Sequence, residues 1–366
     1  MSALSARWLA LAAVALTLVC VRTAVADPTY SESPMLAEKV AKGDLPKIED
    51  RLPEHPAIAD LDEPGLGPGQ YGGDLHMVMG GTKDVRMMVV YGYARLVGYD
   101  TKFNLVPDIL ESFQVEEGRI FTFHLRKGHR WSDGQPFTAE DFRFFWEDVA
   151  NDPDLSPSGI PSVLMVDGEK PLFEVLDPET VRYSWSKPNP LFLPALAGPA
   201  PLYIYRPAHY LKKYHAKYAD AATLKKAVAD ASLRNWQALY VKKDTQYKND
   251  NPKLPTLEPW INTTKGPSER FVFERNPFYY RIDKSGHQLP YIDRVILTVA
   301  DSKIIPAKVG SGESELQARY LHFDNYTFLK AAEERSRFNV RLWRSGAAAP
   351  RRWRSTAGRS PARRRP

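Results

Sequence analysis

The sequence predicts an α/β protein, and three stretches carry that expectation. Ile120 to Glu147 reads as strand, turn and helix, Phe271 to Val295 as two strands about an Asn276-Pro277 turn, and Tyr203 to Val241 as mostly helical. In the first, Phe121, Phe123 and Leu125 alternate with Thr122, His124 and Arg126, the period of two expected when one sheet face is buried and the other is wet. Gly128 breaks the strand, Ser132-Asp133-Gly134 turns the chain, and Thr138 is placed to cap a helix whose Glu140 and Asp141 suit the positive first turn. Phe142, Phe145, Trp146 and Val149 then recur at i, i+3, i+4 and i+7, an apolar stripe for docking on the strand just made. Trp131 and Trp146 are expected in packing, and Asp133 as a turn cap.

From the N-terminus, Arg7 precedes an apolar run from Trp8 to Val21, too short and too rich in small residues for a membrane span. Ala24-Val25-Ala26 offers the small residues that a signal peptidase reads, so residues 1–26 are expected to be an export signal cleaved before Asp27. The next segment, rich in Pro, Glu and Asp, reads as an extended leader with a short helix at most. His76 to Met79 is a plausible first strand, ended by Gly80-Gly81-Thr82, and Val85 to Leu96 has helical spacing at Met88, Val89, Tyr93 and Leu96. Asp100 to Trp185 reads as β-rich, with Val181, Tyr183 and Trp185 alternating. Lys and Tyr interleave on the helices after Tyr203, the mark of a solvated basic face with half-buried rings. Asn249 to Pro255 reads as a low-order linker, after which Trp260 to Thr264, the Phe271 strand and Val295-Ile296-Leu297 return to the sheet.

Chemistry is sparse. Cys20 is the only cysteine, so a chain cleaved after Ala26 has neither a disulfide nor a thiolate metal site. There is no G-x-S-x-G elbow and no H-E-x-x-H pair, and Gly80-Gly81-Thr82-Lys83 lacks the glycine spacing and Gly-Lys-Ser order of a phosphate loop. The expectation is therefore no enzyme, no cofactor and no metal: His209 and His215 read as surface histidines, and His124 and His129 lack a third ligand. Residues 344–366 hold eight arginines and no acid. Without those eight the formal charge of +6 becomes −2, and without Arg7 and Arg22 as well it becomes −4, so the basic balance belongs to the tail. The tail reads as a basic arm for nucleic acid or an anionic membrane, as an inert end, or as out-of-frame reading of GC-rich DNA; the abrupt change at Arg344 favours the last.

Trp131-Ser132-Asp133-Gly134 followed by Pro136-Phe137-Thr138-Ala139-Glu140-Asp141 closely resembles the family 5 solute-binding proteins of bacterial ABC importers, the dipeptide and oligopeptide group. Phe271 to Tyr280, Gln288 to Val295, and Gly310-Ser311-Gly312-Glu313 ahead of Tyr320 and Asp324 extend the resemblance over roughly Tyr71 to Trp343. It implies a two-lobed, periplasmic binding protein-like α/β fold of type II, with an extra β-rich subdomain and most of the second lobe missing. The implied divisions are a leader at 27–70, lobe I at 71–99 and 256–300, an inserted subdomain at 100–255, and the start of the second lobe at 301–343. By the same resemblance, Gly80, Gly81 and Thr82 after the first strand, and Trp260, Asn262 and Thr263 on the crossover strand, face the cleft. Gly80-Gly81 reads equally as a plain turn, and Trp260 as core. The implied protein is a periplasmic monomer that closes on a peptide or oligosaccharide-like solute and presents it to an inner-membrane ABC permease, with no nucleic-acid partner. Two rivals remain at this point, a periplasmic chaperone or scaffold and a basic-tailed protein associated with nucleic acid. If the second lobe is missing, the chain alone is expected to bind solute weakly and to associate through exposed apolar surface.

Overall fold

The computed structural model describes residues 29–62 and 66–342. The expected export signal and the Arg-rich tail lie outside the described residues. In chain order the elements are α1 (Pro34–Ala41), β1 (Ala57–Ile58), β2 (Asp74–Met79), α2 (Met87–Gly92), β3 (Val97–Tyr99), β4 (Leu105–Pro107), β5 (Leu110–Glu116) and β6 (Ile120–Leu125). Then come α3 (Ala139–Phe145), β7 (Leu172–Asp177), β8 (Thr180–Ser184), α4 (Phe192–Ala197), α5 (Ala208–Leu211), α6 (Ala221–Asp230) and α7 (Trp236–Lys243). The last are β9 (Trp260–Asn262), β10 (Arg270–Arg275), β11 (Arg281–Ile282), β12 (Arg294–Val299), α8 (Ile305–Gly310) and α9 (Tyr326–Ser336).

Two four-stranded sheets organise the chain, one ordered β2-β12-β10-β9 and the other β5-β6-β8-β7. In the first, β2 runs parallel to β12, with Leu75 opposite Val295 and Met77 opposite Leu297, while β10 is antiparallel to both β12 and β9. So β2, β12 and β9 point the same way. Period-two alternation splits β2 between two cores. Met77 and Met79 pack with Val85, Met88, Phe271, Phe273 and Leu297, whereas Val78 packs with Ile305, Val309 and Leu329 of α8 and α9. Both faces are thereby dry, and each fully buried Phe or Leu contributes roughly 1.5–3 kcal/mol of burial.

The second sheet packs against α3 in the largest core, with Phe123, Trp131, Phe142, Phe144, Tyr183 and Phe192 all buried. Thr138 caps α3 as expected, and the cap is a reciprocal box: Oγ1 accepts from Glu140 N while Asp141 Oδ2 accepts from Thr138 N. Phe142, Phe145 and Val149 are buried and Trp146 packs on Phe173 and Tyr183. Phe144, off that stripe, is equally buried because its ring meets His215 and Tyr218 on the other side of the helix.

The structure corrects several sequence readings. The wet face of β6 is covered: Thr122 is buried beside Arg182, and Arg126 is buried with its guanidinium donating to the carbonyls of His55, Asp108 and Leu110. The helix expected over Val85 to Leu96 is a short 3-10 turn (Thr82–Arg86) and α2, which ends where Tyr93 enters the left-handed region at φ 46°. Leu96 instead leads into β3. The stretch from Tyr203 is mostly helical as expected, in three short helices, but its basic face is not simply solvated, since Lys212 and Lys217 pair with Glu140 and Asp148 at 2.6 Å each. His215 is 2% exposed, its Nε2 2.8 Å from the Asp148 carbonyl and its ring against Trp236. The 249–255 linker is pinned, since Asn251 Nδ2 donates to Tyr210 Oη and to the Lys243 carbonyl.

The leader is locked to the 277–288 segment. Ser31 N donates to the Gly286 carbonyl at 3.0 Å and Gln288 N to the Ser31 carbonyl at 2.8 Å. Arg51, fully buried, bonds the Pro277 carbonyl, Gln288 Oε1 and Glu32.

Candidate functional site

A cavity of about 1000 Å³ lies at one edge of the β2-β12-β10-β9 sheet. Its sheet side is formed by Thr82 and Lys83 beyond the end of β2, Thr263 and Lys265 beyond the end of β9, and Phe271 at the start of β10. Since β10 runs opposite to the others, all of these lie at the edge where β2, β12 and β9 have their carboxyl ends. Open α/β sheets place their ligands in that crevice, because backbone donors and loops converge there without disturbing the sheet. The facing side comes from α7 and the loop after it, through Ala238, Val241, Lys242, Thr245 and Asn251.

Of the six residues expected to face a cleft, Thr82 and Thr263 line this cavity. The other four do not line it: Gly80, Trp260 and Asn262 serve the framework around it, and Gly81 has no evident structural demand for glycine. Gly80 is a glycine because a Cβ there would collide with the ring of Tyr320, whose hydroxyl donates to the buried carboxylate of Asp84. Gly81 is extended at φ 178° and a Cβ there meets nothing. Trp260 donates from Nε1 to the Ile292 carbonyl at 3.2 Å and packs against the sheet core. Asn262 is buried; its Nδ2 donates to the Asn249 carbonyl and its Oδ1 accepts from Thr264 N, both at 2.9 Å, which fixes the cavity loop to the end of β9. Thr263 stays exposed, with Oγ1 donating to the Val272 carbonyl at 2.9 Å.

Sequence reasoning missed the cations. Lys83, Arg86, Lys242, Lys248, Lys253 and Lys265 reach the cavity from segments far apart in sequence, and only spacing across the fold brings them together. No local motif marks them.

Buried polar groups lie away from the cavity lining. Arg95 donates to the carbonyls of Val89, Gly198 and Pro199 and contacts Glu258 Oε1 at 3.4 Å. Burial pushes the Glu258 carboxyl up to about 8, with Arg95 pulling the other way. Asp108 accepts from Tyr280 and Arg281 and from Arg95 N. His129 is fully enclosed between Phe137 and Tyr280, and burial, aided by Arg126, lowers its imidazole to about 3. Asp133 caps its turn through Gln135 N and also meets His209 Nε2 at 2.8 Å. Among the described residues no group of three or more His, Cys, Asp or Glu is arranged to hold a metal ion, and no helix is long and apolar enough to cross a membrane.

A mixed α/β sheet with a cavity at its strand ends and a β-rich unit beside it defines the periplasmic binding protein class of fold. Residues 104–339 match the middle region of the bacterial extracellular solute-binding proteins, family 5, and the chain belongs to that family. The periplasmic alpha-galactoside-binding protein of Rhizobium meliloti (strain 1021) is 29% identical over 316 residues, covering 78% of this chain and 41% of that protein. The periplasmic oligopeptide-binding protein OppA of Escherichia coli (strain K12) is 26% identical over 201 residues, 51% of this chain and 31% of that one. Among solved structures, an oligopeptide-binding protein OppA superposes with a TM-score of 0.75 at 34% identity, covering 84% of this chain and 48% of its own. The periplasmic binding protein MelB of Agrobacterium fabrum C58, in complex with stachyose, gives a TM-score of 0.64 at 26% identity, covering 83% and 46%. The chain thus spans less than half the length of each of these four proteins.

Proposed function

We propose that this chain supplies the solute-facing wall of a periplasmic solute-binding protein, one that captures a peptide or oligosaccharide-like solute and hands it, as a monomer, to an inner-membrane ABC permease. The observation that carries the reading is the cavity at the carboxyl ends of β2 and β9, with Thr82 and Thr263 on its wall. Two threonines on the wall beside Val241 and Pro252, with Phe271 buried in the sheet core behind, suit a solute with both polar and apolar faces. Enclosure of such a solute by a second wall would exclude water and strengthen each polar contact. Family membership and relatives named as periplasmic binding proteins for oligopeptides and alpha-galactosides support the same reading. The capture is binding without bond making.

The test is calorimetric titration of the full chain with di- to pentapeptides and with neutral oligosaccharides. Saturable one-to-one binding that is lost in a Thr82→Trp, Thr263→Trp double variant of unchanged circular dichroism supports the reading. Binding that survives both substitutions, or a panel without any ligand, sinks it.

A further inference from the structure

The cavity has a strong charge bias. Its lining carries seven basic residues against one acid, Asp250. The chain from Asp27 to Trp343 has a formal charge of −4, so a general excess of cations does not account for this. On the neighbouring helical segment some cations are neutralised, Lys212 by Glu140, Lys217 by Asp148 and Arg206 by Asp244, while others such as Lys225 and Lys226 stand singly on the surface among the described residues; what sets the cavity apart is the number of cations gathered around one space. One cavity lysine is also spoken for, Lys243 lying 5.0 Å above the Tyr214 ring. The other six, Lys83, Arg86, Lys242, Lys248, Lys253 and Lys265, form no ion pair among the described residues. They come from three sides, after β2, from the end of α7 with its following loop, and after β9, so their fields converge on the space between.

We propose that this cavity takes a polyanionic solute, one carrying several carboxylate or phosphate groups, such as an acidic peptide. The proposal rests on the reading of the cavity as the solute site and narrows its ligand class. Five of the six are lysines. An ammonium on a flexible stem is a point charge without the planar fork by which arginine selects one carboxylate or phosphate geometry. The set therefore favours net negative charge over one shape, and a neutral sugar or peptide would leave most of it unanswered. Electrostatic complementarity of this kind also raises the capture rate, and it weakens with salt.

The test uses the full chain with triglutamate, tripolyphosphate, trialanine and raffinose as probes, at 20 and 200 mM salt. One of the two anions is expected to bind at least tenfold tighter than trialanine at low salt and to weaken about tenfold at high salt; which anion is tighter assigns carboxylate or phosphate. The Lys242→Glu, Lys265→Glu double variant alters exposed side chains and is expected to lose at least tenfold in anion affinity. A Lys225→Glu, Lys226→Glu control, the same change of charge on α6 outside the cavity, is expected to lose less than twofold. Equal loss in both variants, or anion binding unmoved by the cavity pair, overturns the proposal by placing the binding elsewhere, the tail arginines included. Salt-independent binding of trialanine or raffinose alone overturns it while leaving the solute-site reading intact. Binding of none of the four overturns both.

Discussion

Trp131 Nε1 donates to Asp141 Oδ2 at 3.0 Å, and the same carboxylate takes Thr138 N at 3.1 Å and Ala208 N at 2.9 Å. One buried side chain thus joins the Trp131 turn, the start of α3 and the start of α5. Replacing Asp141 with Ala leaves two buried donors and one half-buried donor without an acceptor, and the expected loss is about 3–5 kcal/mol. Asp141→Asn should fall between, since its single carbonyl oxygen cannot serve both sides. Urea denaturation followed by circular dichroism measures both; an Asp141→Ala cost under about 1 kcal/mol would show that water or rearrangement replaces the carboxylate.

His129 predicts acid sensitivity. Both its ring nitrogens are buried and lack a partner among the described residues, and its folded imidazole titrates near 3 against 6.5 in an unperturbed chain. Between those values the unfolded chain binds the proton and the folded one does not. Stability is therefore full above about pH 6.5 and declines as the pH falls toward 3. His129→Phe keeps the contacts with Phe137 and Tyr280 and removes the titration, so it should raise the melting temperature more at pH 5 than at pH 7.5. An equal shift at both pH values would contradict the assignment.

Glu258 acts in the opposite sense. Its folded carboxyl titrates near 8 against 4.5, so the folded state holds the proton longer than the unfolded chain does. Its contribution is full below about 4.5 and is lost as the pH rises through 8. Glu258→Gln removes that loss. Relative to the unaltered protein, the variant should gain melting temperature between pH 5 and pH 8.5, and a constant difference across that range would refute the coupling.

The parts of the fold legible in the sequence are those decided by near neighbours. Alternation marked β6, and Thr138 with Asp141 marked the helix cap, because strand period and capping act over a few residues. Arg126 was not legible as a buried residue, since the carbonyls that satisfy it belong to His55, Asp108 and Leu110. His215 was misread for the same reason: Trp236 and Tyr240, which enclose it, arrive two helices later. Leu96 kept a helical spacing from Met88 that the left-handed turn at Tyr93 cancels. At the site, the segments after β2 and β9 were found through a resemblance, but the cations that set the charge of the cavity converge only in three dimensions. Nothing along the chain announces them.

The clasp between Ser31, Arg51 and the 277–288 segment imposes an order of events on biosynthesis. A chain made from its N-terminus exposes Leu36, Ile48 and Leu52 more than two hundred residues before Gln288 exists to anchor the segment that carries them. At about 5–20 residues per second the wait is on the order of ten seconds or longer. Throughout that interval residues 31–51 lack the segment that anchors Ser31 and Arg51, whereas residues 54–55 can already bond Glu111, Arg126 and Lys127, so the leader is sealed in two stages and its N-terminal half comes last.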